Sequence, residues 1–251
     1  MVIIKTPQEI EQMHTAGKLL AEVHRQLRKR VVPGVTTLEL DKFVEEFLLD
    51  HGAYPEQKGY EGFPYSICAS VNDEICHGFP TKKPLKSGDI LTIDMVVRVG
   101  DWLADSAWSY GVGEISEKAQ NLLDVTREAM YEGIKKAVIG NRLGDIGHVI
   151  QNYAESRGYS VVREFIGHGI GQEMHEDPQV LHYGKPGRGL RIQEGMVFTI
   201  EPMINTGAWK VKIDDNGWTA RTIDGGLSAQ YEHTLAITKD GPIILTDQGD
   251  V

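Results

Sequence analysis

Residues 88–105 read Gly-Asp-Ile-Leu-Thr-Ile-Asp-Met-Val-Val-Arg-Val-Gly-Asp-Trp-Leu-Ala-Asp. Apart from Thr92 and Asp94, every position from Ile90 to Val97 is apolar, the pattern of a strand buried on both faces. The turn residues Gly100 and Asp101 and the return through Trp102 and Leu103 predict a β-hairpin. A two-residue turn at Val99-Gly100 sets Asp94 directly across from Asp105, and a four-residue turn keeps the two on one face. Acidic pairs on hairpins are usually solvated, but Asp94 ends an apolar run and therefore needs a partner. Two carboxylates a cross-strand distance apart repel unless something offsets them, and a divalent cation does so.

Working outward, the same run recurs. Gly88-Asp-Ile-Leu-Thr-Ile-Asp94 matches Gly195-Met-Val-Phe-Thr-Ile-Glu201 position for position, each ending in a carboxylate. Each is also preceded by His-Gly, at His77-Gly78 and at His168-Gly169. The double echo predicts two related halves that deliver acids and histidines into one cleft. The helices fit that duplication. Thr6-Pro7-Gln8-Glu9 is a capping sequence opening a helix to about Arg30, and Thr36 with Glu39 opens a second that Gly52 ends. Ser116 caps a third helix, with Leu122, Leu123, Val125, Ala129, Ile134 and Val138 facing inward and Gly140 as its stop. A fourth spans about Ile146 to Arg157, and strand-like runs follow at Met196–Ile204, Tyr231–Thr238 and Pro242–Leu245. Two helices then strands, twice over, is a duplicated α+β arrangement within one domain, residues 1–251.

Composition narrows the function. At 251 residues and 41% apolar the chain buries a substantial core. Its 26 Lys and Arg against 36 Asp and Glu give a formal charge of −10, which repels nucleic acid. No apolar run reaches the length of a membrane span and no leader is recognisable, so a cytoplasmic protein without membrane or nucleic-acid partners is expected. Cys68 and Cys76 have neither zinc-knuckle nor redox spacing and are read as free thiols.

Gly167-His168-Gly169-Ile170-Gly171 sets a histidine among three glycines, which allow tight turns and close approach of a ligand to the backbone. His175 lies close by in the chain, and His77 is the third imidazole of interest. Together with Asp94, Asp105, Glu201 and Glu232, His168 makes a donor set of four carboxylates and one imidazole, suited to a hydrolytic two-metal site. Two divalent ions would balance the four carboxylates.

The words GHGIG at 167–171, HEDPQVLHYG at 175–184, TIEPM at 199–203 and SAQYEHT at 228–234 closely resemble the type I methionine aminopeptidases, as do CHGFP at 76–80 and the Asp94/Asp105 hairpin. The resemblance covers essentially the whole chain. It implies the pita-bread fold of two pseudo-symmetric α+β halves. It also implies that Asp94 chelates one metal, that His168 and Glu201 bind the other, and that Asp105 and Glu232 bridge them. Mn²⁺, Fe²⁺, Co²⁺ and Zn²⁺ all suit such a donor set. By the same resemblance Glu201 shuttles the proton, His175 supports the carbonyl oxygen and His77 contacts the scissile amide. Tyr60, Phe63, Cys68, Met174 and Trp218 take the positions of the methionine pocket, and a monovalent cation is placed near Asn72 and Ser228.

The implied activity is removal of initiator methionine from peptides and nascent chains with a small second residue, by a monomer. Two alternatives stand beside it. One is an aminopeptidase P or prolidase of the same fold, which usually carries an additional N-terminal domain where this sequence shows only a short helix. The other is a binding protein that kept the fold and lost catalysis, which typically loses ligands that are all retained here. Departures from the family pattern touch the surroundings rather than the ligands. Leu103-Ala104-Asp105-Ser106 stands where His-Gly-Asp-Thr is common, Met174 where an aromatic is common, and the segment from Thr222 to Gly226 is less basic.

Overall fold

The computed structural model describes residues 1–249. Helices α1 (Pro7–Arg28) and α2 (Thr37–Asp50) both open on complete capping boxes. Thr6 Oγ1 accepts from Glu9 N while Glu9 accepts from Thr6 N, and Thr36 with Glu39 repeats the exchange. Each box satisfies two backbone N–H groups at a helix start, and losing the capping hydroxyl costs about 1 kcal/mol. The apolar stripe of α1, with Met13, Leu20, Val23 and Leu27 fully buried, lies along the first sheet.

That first half contains β1 (Tyr54–Pro55), β2 (Cys68–Val71), β3 (Glu74–Cys76), β4 (Ile90–Val99) and β5 (Trp102–Gly111). Strand β4 is its spine: β5 pairs along one edge, while β2 and β1 share the other. Its side chains up to Val97 are buried on both faces except for the partly buried Asp94. The register differs from the expected one. The turn falls at Gly100-Asp101, so Val99 pairs with Trp102, Asp94 faces Ala107 and Asp105 faces Val96. Gly100 has φ 59, the left-handed value that a type II′ turn needs at its first central position, whereas a turn at Val99-Gly100 would ask it of a β-branched residue. Asp94 and Asp105 are therefore diagonal neighbours on one face rather than directly opposed.

The second half runs through α3 (Glu117–Ile134), α4 (Leu143–Glu155), β6 (Ser160–Val161), β7 (Gly167–Gly169), β8 (Glu176–Val180), β9 (Val197–Ile200), β10 (Met203–Asn205), β11 (Val211–Ile213), β12 (Ala220–Thr222), β13 (Ser228–Gln230), β14 (His233–Thr238) and β15 (Gly241–Ile244). Its largest sheet has the order β15-β14-β9-β7-β8, and all of its pairings are antiparallel. Helix α3 stops at Ile134, short of Gly140. Its end tightens into three-residue hydrogen bonds at Lys136 and Ala137, and Ala137 is buried in place of the expected Val138.

The run expected as one strand at Met196–Ile204 is split, with Glu201-Pro202 separating β9 from β10. The run expected from Tyr231 begins at His233, with Tyr231-Glu232 separating β14 from the additional strand β13, so both segments pass from one sheet to another side by side. Proline lacks the N–H that a continuing ladder needs. Glu201 and Glu232 stand one step beyond the last paired residues, Ile200 and His233. The carboxylates thus occupy a gap between sheets, where side chains have room to converge.

Candidate metal centre and substrate cavity

The halves meet over a cavity of about 750 Å³ whose lining includes every proposed ligand: Asp94, Asp105, His168, Glu201 and Glu232. His77 and His175 line it too, as do the five pocket residues Tyr60, Phe63, Cys68, Met174 and Trp218. Asp94 and Asp105 project from the central hairpin, His168 from β7, and the two glutamates from the strand breaks.

Burial, together with the charges of Asp105 and Glu201, holds the Asp94 carboxyl well above the usual range. Burial and the charges of Asp105, Glu201 and Asp94 do the same to Glu232. Glu201 is raised to about 7 by burial and by Asp105, with His168 pulling the other way. Burial alone would lower His168, but Asp105 and Glu201 outweigh it and lift the imidazole to about 9. The geometry agrees: His168 Nε2 lies 3.6 Å from Asp105 Oδ2 and 3.5 Å from Glu201 Oε1. Its Nδ1 is 2.9 Å from the Gly169 carbonyl oxygen, so that nitrogen donates and Nε2 is presented to the cavity. These carboxyls crowd one another and are short of positive charge.

The residues fit divalent cations. Asp105 Oδ1 and Glu232 Oε1 are buried without a hydrogen-bond partner among the described residues. One ligand atom from each of Asp105, His168 and Glu232 lies within 4.8 Å of the others. Buried, unpaired carboxylate oxygens are costly, and coordination removes that cost.

The two other histidines of the cavity lining, His77 and His175, are neutral donors or acceptors. Burial holds His77 down at about 4, and burial with the neighbouring His168 lowers His175. His175 packs against His168 with ring centroids 4.5 Å apart. Tyr60, expected as a pocket wall, has a second role: its hydroxyl is 2.9 Å from His175 Nδ1. Phe63 stands edge-on to Trp218 at 5.1 Å, and Trp218 stands edge-on to His77 at 6.1 Å, forming one aromatic wall. Cys68 sits on β2 beside Asp94, and Met174 packs with Val96 and Leu103. Both thiols are free.

Asn72 and Ser228 meet through Ser228 N and the Asn72 carbonyl at 2.9 Å, and Ser228 Oγ is buried without a partner among the described residues. The segment after Thr222 is tethered, since Asp224 accepts from Ala208 N and Gly226 N. Sequence reading missed Gln230, whose amide reaches Glu201 Oε2 at 3.4 Å, and Cys76 on the cavity wall. Both lie inside motifs already quoted, Gln230 two residues before Glu232 and Cys76 just before His77. Their side-chain types alone carried no signal.

A family model, metallopeptidase family M24, matches residues 11–239. The methionine aminopeptidase of Clostridium perfringens is 51% identical over 246 residues, covering 98% of this chain and 99% of that one. Methionine aminopeptidase 1 of Bacillus subtilis is 49% identical over 246 residues, with 98% and 99% covered. The crystal structure of the Rickettsia prowazekii methionine aminopeptidase superposes with a TM-score of 0.97 at 46% identity, covering 98% of this chain and 100% of that one. A prolidase from Pyrococcus furiosus shares the fold, with a TM-score of 0.79 at 23% identity over 98% of this chain and 65% of its own. With this pita-bread fold and identities near one half along nearly its full length, the chain belongs to metallopeptidase family M24, among its methionine aminopeptidases.

Proposed function

We propose that this protein removes N-terminal methionine from peptides and nascent chains whose second residue is small, acting in the cytoplasm as a monomer on two divalent cations. The observation that carries the reading is the convergence of four carboxylates and His168, two of the acids with orphaned oxygens, beside an apolar wall in one cavity. Asp94 would hold one ion, His168 and Glu201 the other, and Asp105 and Glu232 would bridge. Such ions acidify water and polarise a carbonyl.

The chain's own groups do the rest. Glu201 takes a proton from water on one of its carboxylate oxygens and returns it to the leaving amine nitrogen. Neutral His175 donates to the carbonyl oxygen as charge builds there, and His77 contacts the scissile amide. Phe63, Met174, Cys68 and Trp218 enclose an unbranched thioether, which gains from aromatic and sulfur contacts. A monovalent cation near Asn72 and Ser228 would take up the Ser228 hydroxyl oxygen. Among the described residues no helix is long and apolar enough to cross a membrane.

The test compares release of methionine from Met-Ala-Ser with cleavage of a Xaa-Pro peptide, after EDTA treatment and after adding back Mn²⁺, Fe²⁺, Co²⁺ or Zn²⁺. Cation-dependent methionine release with negligible Xaa-Pro cleavage is expected. Faster Xaa-Pro cleavage would transfer the reading to the prolidase side of the fold, and no turnover with any of the four ions would leave only a binding protein.

A further inference from the structure

Arg221 lies outside the cavity lining, yet one guanidinium gathers three carboxylates from two segments. Its Nε is 2.6 Å from Asp214 Oδ2, Nη1 is 2.9 Å from Asp73 Oδ1, and Nη2 is 2.7 Å from Glu74 Oε1. Asp214 comes directly after β11, Arg221 is the middle residue of β12, Asp73 directly precedes β3 and Glu74 opens it. The planar fork of arginine suits such multiple contacts, whereas lysine offers only a point charge.

These segments carry the aromatic wall. The β11–β12 hairpin holds Trp218 in its turn, where Asn216 Oδ1 accepts from Trp218 N and Thr219 N. Strand β3 leads directly into His77. Where β12 meets β3 the register shifts: Ala220 pairs with Cys76 but Arg221 pairs with Glu74, so β3 carries an extra residue. A bulge of this kind twists a strand and re-aims the residues beyond it. His77 has φ 55, a strained value for a non-glycine residue that persists only where its surroundings enforce it. Enforcement is visible next door. Glu74 turns its other oxygen to Val71 N at 2.7 Å, and a Cβ on Gly78 would meet that oxygen at 2.8 Å and the Ala69 carbonyl oxygen at 2.4 Å. Thr219 Oγ1 completes the frame at 3.4 Å from the His77 carbonyl oxygen.

We propose that Arg221 is a positioning residue for substrate selection: by tying Asp214 to Asp73 and Glu74 it holds Trp218 and His77 at the wall that reads the methionine side chain. The role rests on the methionine-pocket reading of that wall. Without the guanidinium the link is lost and three half-buried carboxylates face one another, so repulsion pushes the hairpin away from β3. The metal ligands lie on other elements and keep their places.

The experiment measures kcat/KM for Met-Ala-Ser and Leu-Ala-Ser, with metal content, in the wild type, Arg221→Met, Arg221→Lys and Asp214→Asn. Arg221→Met is expected to bind its metals normally while losing about tenfold or more of the preference for methionine, the scale of one altered pocket contact. Arg221→Lys restores part of the preference, because the charge returns without the fork. Asp214→Asn weakens the tether on the hairpin side only and shifts the ratio in the same direction by less, which keeps the test open if Arg221→Met fails to fold. An unchanged ratio in Asp214→Asn, or in a folded Arg221→Met, overturns the positioning role. A wild type that releases no methionine overturns instead the functional reading on which it rests.

Discussion

At the scale of single residues, His175 is the side chain whose surroundings say most about its task. Tyr60 engages Nδ1 at 2.9 Å, His168 packs against the ring, and burial keeps the imidazole neutral. With the Tyr60 hydroxyl donating to Nδ1, the ring proton sits on Nε2 and is available to an oxygen gaining charge. The five proposed ligands form a set without His175, so His175→Ala should retain full metal content while kcat falls roughly 10²- to 10³-fold, as when an oxyanion donor is removed. Tyr60→Phe keeps the ring and loses only the hydroxyl, and a smaller drop in kcat with unchanged metal content is expected. Metal analysis alongside steady-state kinetics checks both, and metal loss in His175→Ala would make that residue a ligand instead.

At the scale of elements, the site depends on how β5 meets β14 across the junction of the halves. Backbone pairing is thin there, with Glu232 N donating to the Ala107 carbonyl at 2.8 Å. Two hydroxyls close the gap on either side of it. Thr234 Oγ1 accepts from Asp105 N at 3.0 Å and donates to the Asp105 carbonyl at 2.8 Å. Ser109 Oγ accepts from Gln230 N at 3.1 Å and donates to the Gln230 carbonyl at 2.8 Å. Each hydroxyl thus satisfies both polar groups of one residue from the opposite half, and together they flank Glu232. Thr234→Val preserves shape and leaves Asp105 N and its carbonyl buried without partners. An orphaned buried group costs about 1–3 kcal/mol, so urea unfolding should show a loss on that order, with weaker metal binding because Asp105 loses its support. Unchanged midpoint and unchanged metal affinity would show the clasp to be redundant.

At the scale of the whole molecule, buried titratable groups oppose one another in pH. Burial holds His24 and His182 at about 3 and His233 at about 4, against 6.5 for a free imidazole. A depressed histidine pKa contributes stability that is present above about pH 6.5 and is lost as pH falls towards the folded value. The metal-free site acts in the opposite sense. Glu201, raised from 4.5 to about 7, and His168, raised from 6.5 to about 9, both favour their protonated forms, so their contribution is lost as pH rises through those windows. Divalent cations should relieve the alkaline loss alone, since protons occupy the same oxygens and imidazole in acid. Melting curves of EDTA-treated protein with and without Mn²⁺ are therefore expected to show a much larger rise in Tm at pH 8 than at pH 5. Equal rises at the two pH values would place the cations somewhere other than among these groups.

Much of this was legible because it is local. Capping boxes at Thr6 and Thr36, the buried run of β4, and glycines around His168 are patterns of neighbours a few residues apart, and backbone sterics with side-chain periodicity dictate them directly. Asp94 and Glu201 stood out as candidate ligands for the same reason: a carboxylate ending an apolar strand must answer for its burial wherever that strand goes. The rest belongs to contacts between residues far apart in the chain, which no local pattern encodes. The hairpin register is the local exception, set by the left-handed Gly100 within the turn itself. The crossing of two segments between sheets broke the strands at Glu201 and Glu232. Packing against distant partners recruited Gln230 to Glu201, joined Tyr60 to His175, and drew Asp73, Glu74 and Asp214 around Arg221. Types of side chain and their spacing determined which chemistry this protein holds; tertiary packing decided which groups orient it, because orientation depends on what arrives from the other half.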